Sequence, residues 1–435
     1  MGKQTKKIGF WILTALVVGN MVGSGVFLLP ASLASIGTIS IYSWALTGVG
    51  AIFLALVFGR LGSLFPKTGG PYVFAREAFG DFVGFQVAYN YWIYMWVGNA
   101  AIAVAMTGYL SVFFPALGTN PALAFGVTAG IVWLITLINA VGVRFAGMFQ
   151  LITSIIKLLP LALIIIFGFF HVRPENWSAF NLTGGSDFSA ISRGAILTMW
   201  AFLGIECACI PGDDVKNPKK NIPRATIVGV IIVCVIYIAS TAAIMGLVDV
   251  QTLSESSSPY SDAAMALFGP WGSWLVSAGA VVACFGALNG WILLQGQIPY
   301  AAAQDGLFPK SFKYKSQQGV PLFGLITSST LITLLLIFNF HKKLVDQFTF
   351  TILLATLAAL ITYLYCTMAE IIITVKQNLP RKKIFRLSVL SLIACIYTFW
   401  TIYSAGPETV FYGALLLLTS IPLYARIAWK QKLPR

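Results

Sequence analysis

Stretches of about twenty apolar residues recur along this chain almost without interruption, and that recurrence leaves few folds open to it. A helix needs about 20 such residues to cross the hydrocarbon of a bilayer. Twelve stretches occur, the first at 9–35 and the last at 409–428, and the connections between them are too short to hold a soluble domain. Inside lipid every backbone N–H and C=O must find a partner within the protein, and stretches of this length, about twice what a spanning strand needs, are expected to do so as helices. Only 10% of the 435 residues are charged, against roughly 25% in soluble domains. The sequence predicts an all-α membrane protein with one transmembrane domain over 1–435.

The net charge of +14 could suggest a nucleic-acid partner, but its distribution argues otherwise. Lys3, Lys6 and Lys7, then Lys216, Lys219, Lys220 and Arg224, then Lys376, Arg381, Lys382 and Lys383 all fall on alternate connections, which lie on one side of a membrane. The opposite side holds Arg173, Arg193, Lys342 and Lys343. Cytosolic loops carry the excess of Lys and Arg, so both termini are expected in the cytosol, in a multi-pass protein of the cytoplasmic (inner) membrane. The lipid bilayer accounts for the charge, and no nucleic acid is expected. All six cysteines, Cys207, Cys209, Cys234, Cys284, Cys366 and Cys395, lie within apolar stretches without metal-ligand spacing, so neither a metal nor a cofactor is expected. An enzyme would cluster His, Asp or Glu, and a channel would repeat a pore loop or a charged ring. Neither pattern is visible.

Two apolar stretches are interrupted. The first breaks at Gly23-Ser24-Gly25 and the second at Gly204-Ile205-Glu206, with a proline seven residues after the glycine in each, Pro30 and Pro211. Glycine costs about 1 kcal/mol in a helix interior, and broken helices in corresponding halves of a chain mark a transporter's binding site. If stretches one to five (9–170) and six to ten (190–375) are repeats, an odd number per repeat inverts the second against the first. The last two helices (384–428) then stand outside the repeat. Unwinding at Gly23 to Gly25 presents backbone N–H groups at the positive end of a half-helix, which suits a carboxylate. Carbonyls near Trp200, Ala201 and Leu203 suit an ammonium. Together they fit an α-amino acid, and the competing explanation is small-residue helix packing.

Glu206 is the acidic residue set deep in a stretch, where a charge costs at least about 2.5 kcal/mol. It is expected to face the bundle interior, either exchanging a proton or pairing with a cationic substrate, the alternative being a neutral carboxyl that ties helices together. Lys157 and Glu370 can snorkel to stretch ends and receive no role. Trp200, Trp291, Tyr91 and Trp96 are the rings within reach of a central site, where a face can meet a cation.

The segment Gly19-Asn20-Met21-Val22-Gly23-Ser24-Gly25-Val26-Phe27-Leu28-Leu29-Pro30 resembles the first-helix motif of the amino acid, polyamine and organocation transporters. Gly69-Gly70-Pro71-Tyr72, Trp200 to Glu206, Lys216-Asn217-Pro218, Gly290-Trp291 and Ala303-Gln304-Asp305-Gly306 carry the resemblance onward. Among these transporters the chain is most similar to the basic amino acid/polyamine antiporters, the arginine/agmatine antiporters above all. The resemblance implies twelve helices with a five-plus-five inverted repeat, often as a homodimer. It implies exchange of an amino acid for an amine or another amino acid by alternating access. It places substrate at Met21, Gly23, Ser24 and Gly25, and at Trp200, Ala201 and Leu203, with Trp200 stacking on it and Asn99 near its side chain. Trp291 and Tyr91 would gate the site, Glu206 would take part in proton-linked gating, and Tyr72 matches a tyrosine linked to pH response. Tyr94, Met95 and Ala355 depart from the arginine-exchanging members, where smaller or more polar residues receive the guanidinium. A shorter basic or a neutral amino acid suits such a pocket, and the alternative function is proton-coupled transport of neutral amino acids.

Overall fold

A computed structural model describes residues 9–65, 70–141, 157–177, 180–206 and 215–432 of the chain. Its regular elements are helices: α1 (Phe10–Met21), α2 (Ser24–Ala34), α3 (Ser40–Leu64), α4 (Pro71–Phe79), α5 (Asp81–Leu110), α6 (Pro121–Ala140), α7 (Leu158–Gly168) and α8 (Asp187–Phe202). There follow α9 (Pro218–Leu247), α10 (Val250–Glu255), α11 (Pro259–Phe268), α12 (Pro270–Gln304), α13 (Leu322–Asn339), α14 (Leu344–Lys376), α15 (Arg381–Tyr403) and α16 (Pro407–Lys432). Among the described residues nine helices are long and apolar enough to cross a membrane, and α1 with α2, bent by 43°, make a tenth. The expected fifth and sixth stretches lie partly outside the described residues, with α7 and α8 as their described parts.

Local chemistry sets the helix ends. Asn120 accepts from the Leu123 N–H ahead of Pro121 and opens α6, and Ser186 accepts from the Ser189 N–H and opens α8. Such side chains satisfy donors that a first turn leaves free. Pro218 and Pro270 begin α9 and α12, where a missing N–H costs nothing.

Position in the bundle follows composition. α5 has no charged face and is buried on all sides from Gly84 to Tyr109, which places it at the centre. It packs between α12 and α14, while α9 lies along α3. α15 and α16 turn Phe385, Phe399, Tyr403, Phe411 and Trp429 outward. In a membrane protein that outer apolar face meets lipid rather than water.

The connection at 249–270 holds two short helices, and Tyr260 within it is fully buried. α11 starts on Pro259-Tyr260 and ends in Phe268-Gly269, just as α4 starts on Pro71-Tyr72 and ends in Phe79-Gly80. Both terminal glycines take a positive φ, +71° and +86°, and each leads directly into a long helix, α12 or α5. The two short helices sit at opposite ends of that pair. Tyr72 donates its hydroxyl to Asp305 at the finish of α12, over 3.0 Å. The Tyr260 N–H instead meets the Tyr109 hydroxyl at the finish of α5, and Tyr109 donates to the Phe27 carbonyl at 2.6 Å.

Candidate functional site: two broken helices around a tryptophan

α1 ends at Met21, and α2 starts at Ser24 after Gly23 leaves the helical conformation. No side chain caps α2, and the buried Ser24 hydroxyl has no partner among the described residues. α8 ends at Phe202, Leu203 is extended, and Gly204 takes φ +103°, which L side chains rarely adopt. A Cβ on Gly204 would come within 3.6 Å of the Asn20 backbone, so the two breaks lie against each other. The second break is therefore a conformational requirement as well as a packing one.

Tyr237 of α9 joins the two. Its hydroxyl stands 2.7 Å from the Met21 carbonyl and 3.1 Å from the Ala201 carbonyl, serving a chain end at each break. The hydroxyl has one proton for the two carbonyls, so the Ala201 carbonyl, the more distant of them, keeps acceptor capacity. Sequence reasoning passed over Tyr237, although a tyrosine inside an aliphatic helix signals that its hydroxyl has a buried partner.

Trp200 fills the space between α2 and α5. A Cβ on Gly25 would lie 2.9 Å from its Cδ1, and one on Gly98 would lie 2.9 Å from its Cη2 and 2.8 Å from Cζ3 of Trp291. Glycine at both positions lets the indole sit flush against two backbones. Trp291 lies edge-on to Trp200 with centroids 5.8 Å apart, and Tyr94 is edge-on to Trp291 at 5.1 Å. Tyr91 continues the cluster at 5.5 Å from Tyr94.

Glu206 is fully buried behind this aromatic layer. The Tyr91 hydroxyl donates to its Oε1 at 2.7 Å, and the Tyr363 hydroxyl of α14 donates to Oε2. Glu206 therefore faces the bundle interior as expected, and Tyr363 is a partner that no motif announced. Of the other anticipated residues, Met21, Met95, Leu203 and Ala355 are buried nearby in sequence or on α5 and α14. Trp96 is buried outside the ring cluster, with its Nε1 unpartnered among the described residues. Tyr72 stands apart, at the mouth. Lys157 and Glu370 do not snorkel: Lys157 is buried and donates to the Gly19 carbonyl near the end of α1. Glu370 is buried against Arg60, Thr374 and Ser391.

Cavities lie on either side of the site. One of about 280 Å³ is lined by Tyr72, Tyr91, Gln297, Tyr300 and Lys315. The other, of about 550 Å³, is lined by Ser32, Ser35, Arg193, Asp346 and Thr349. α14 spans the distance between them, from Val345 and Leu353 in the larger cavity, past Tyr363 on Glu206, to Cys366 beside the Pro71 carbonyl.

A family model described as amino acid permease matches residues 8–419. The chain belongs to the amino acid permease family. It is 32% identical over 426 residues to the putrescine transporter PotE of Escherichia coli (strain K12), covering 98% of this chain and 97% of that one. The putrescine transporter PotE of Haemophilus influenzae is 33% identical over 434 residues, 99% of each chain. The cadaverine/lysine antiporter of Escherichia coli (strain K12) is 33% identical over 429 residues, 97% of this chain and 95% of that one. Membership makes this permease a multi-pass membrane transporter.

Proposed function

We propose that this permease exchanges a basic or related amino acid for an amine or another amino acid by alternating access in the cytoplasmic membrane. The observation that carries the proposal is the pairing of the two breaks. An uncapped α2 N-terminus with the unpartnered Ser24 hydroxyl provides for a carboxylate. The Met21 and Ala201 carbonyls, drawn together by Tyr237, provide for an ammonium. An amine formed by decarboxylation keeps the second contact and lacks the first, so one site can take both partners of the exchange. The relatives' names, putrescine and cadaverine/lysine, carry substrates with a distal ammonium, which favours this reading over proton-coupled uptake of neutral amino acids.

The same proposal includes twelve spans, with α7 and α8 belonging to the fifth and sixth, and an inverted repeat over 9–170 and 190–375. The matched helices α4 and α11 at opposite ends of α5 and α12 support the repeat. It sets both termini in the cytosol, on the side rich in Lys and Arg. Trp200 and Trp291 close over the substrate, Tyr91 and Glu206 link closure to protonation, and the cavities beside Tyr72 and Arg193 are the two approaches. Counterflow in proteoliposomes tests the exchange: labelled L-lysine or putrescine should enter only when an unlabelled partner is inside. Uptake independent of internal substrate refutes it.

A further inference from the structure

Asn99 of α5 is fully buried, and its Oδ1 has no hydrogen-bond partner among the described residues. Its Nδ2 donates to Oε1 of Gln295 on α12 at 2.7 Å. Gln295 Nε2 in turn donates to the Ser329 hydroxyl of α13 at 3.0 Å, and Ser329 lies 2.7 Å from the Thr136 hydroxyl of α6. Thr136 donates to the Val132 carbonyl at 2.7 Å. All four side chains are buried, so no bulk water competes for these bonds.

The last bond gives the row a direction. A carbonyl can only accept, so the single Thr136 proton is committed to Val132 and Thr136 must accept from Ser329. Ser329 has then given its own proton and must accept from Gln295, which turns the Gln295 amide nitrogen toward Ser329 and its oxygen toward Asn99. Asn99 must answer with its nitrogen. Its oxygen is left facing elsewhere as an acceptor, one residue from Gly98, which touches both Trp200 and Trp291. Close helix approach makes the row possible, since a Cβ on Gly324 would stand 3.1 Å from the Gly296 carbonyl.

We propose that Gln295 is a positioning residue that sets the charge preference of the permease: the row from Thr136 through Ser329 and Gln295 locks the Asn99 amide with its oxygen toward the substrate, to accept from a distal ammonium. This rests on the exchange reading above. An amide free to rotate would offer N–H as readily as oxygen, and would serve a neutral amide or a carboxylate side chain as well as an ammonium. A hydrogen bond to a charged group is strong enough to shift a preference by about tenfold or more.

Counterflow with L-lysine, putrescine, L-norleucine and L-glutamine on wild type, Gln295→Leu, and Gln295→Leu combined with Asn99→Asp tests this. Wild type should prefer lysine to norleucine. Gln295→Leu should reduce that preference by about tenfold while norleucine exchange persists and glutamine exchange rises. Asn99→Asp should restore the preference in that background, because a carboxylate accepts whichever way it turns. Ser329→Ala and Thr136→Val, which leave the Gln295–Asn99 contact in place, should drift the same way to a smaller extent and serve if Gln295→Leu does not fold. An unchanged lysine-to-norleucine ratio in these variants, or an equal loss of both substrates at wild-type thermal stability, overturns the role of Gln295. A wild type that exchanges neither lysine nor putrescine overturns the exchange reading instead.

Discussion

Gly25→Ala is the sharpest probe of the site, because the added methyl has nowhere to go. Its carbon would stand 2.9 Å from Trp200 Cδ1, 3.0 Å from Nε1 and 3.3 Å from the Ala201 Cα. Unstrained carbon contacts begin near about 3.5 Å, so the ring or the backbone must move by several tenths of an ångström. The ring cannot yield, since its far edge already abuts Gly98 and Trp291. The strain therefore falls on the separation of α2 from α8, at a cost of about 1–3 kcal/mol, typical of overpacking. Only an arrangement with Trp200 wedged between Gly25 and Gly98 bears it, so the cost appears as weaker apparent affinity, about 5- to 150-fold by the same energies. The assay is counterflow KM beside thermal unfolding in detergent, for Gly25→Ala, Trp200→Phe and the pair. Trimming the indole should relieve the methyl, making the double variant better than the sum of its parts by about 1 kcal/mol. Strict additivity, or a wild-type KM for Gly25→Ala, refutes the wedge.

Glu206→Gln sets an amide N–H against one of two tyrosine hydroxyls that now both donate, and should slow exchange and flatten its pH profile. A profile of unchanged shape shows instead that the carboxyl only ties helices together. Glu370→Leu strands Arg60 in a partly buried position and should lower the unfolding temperature by the equivalent of about 3–5 kcal/mol, with Arg60→Leu/Glu370→Leu recovering most of it; a double variant no better than the single one refutes the pairing. Tyr72, at the mouth, has its hydroxyl held well above its ordinary value of 10.0, by burial first and then by the Asp305 charge. A raised folded-state value means its contribution is complete below about 10 and is lost only as pH climbs through the higher value. Tyr72→Phe should therefore change the exchange rate by the same factor at every pH from 5 to 9; a shifted pH midpoint would show that Tyr72 itself titrates.

Much of this arrangement is written in local sequence. The helices follow from apolar length, the breaks from paired glycines, and the burial of Glu206 from the cost of a charge in lipid. Trp200 and Trp291 were legible because each flanks a glycine motif. What the sequence hides is pairing at a distance. Nothing near Tyr363 or Tyr237 says that one serves Glu206 and the other joins Met21 to Ala201, because those contacts depend on how helices far apart in the chain are laid together. A mid-helix hydroxyl or amide announces only that some partner exists. Lys157 and Glu370 misled for the same reason: a long charged side chain can snorkel, unless another helix brings a carbonyl or an arginine to meet it. The Pro-Tyr helices were hidden by context, α11 lying in a stretch too polar to be read as part of the bundle.

Those two helices have a consequence for the direction of traffic. On the proposed inverted repeat, one design serves both ends of the α5–α12 pair, and the exchange proposed above takes its net direction from the concentration differences applied. The two ends differ in a few contacts: a hydroxyl resting on a half-exposed aspartate at one, a wholly enclosed ring at the other. A search for what makes such a carrier run one way in the cell can begin with those few contacts.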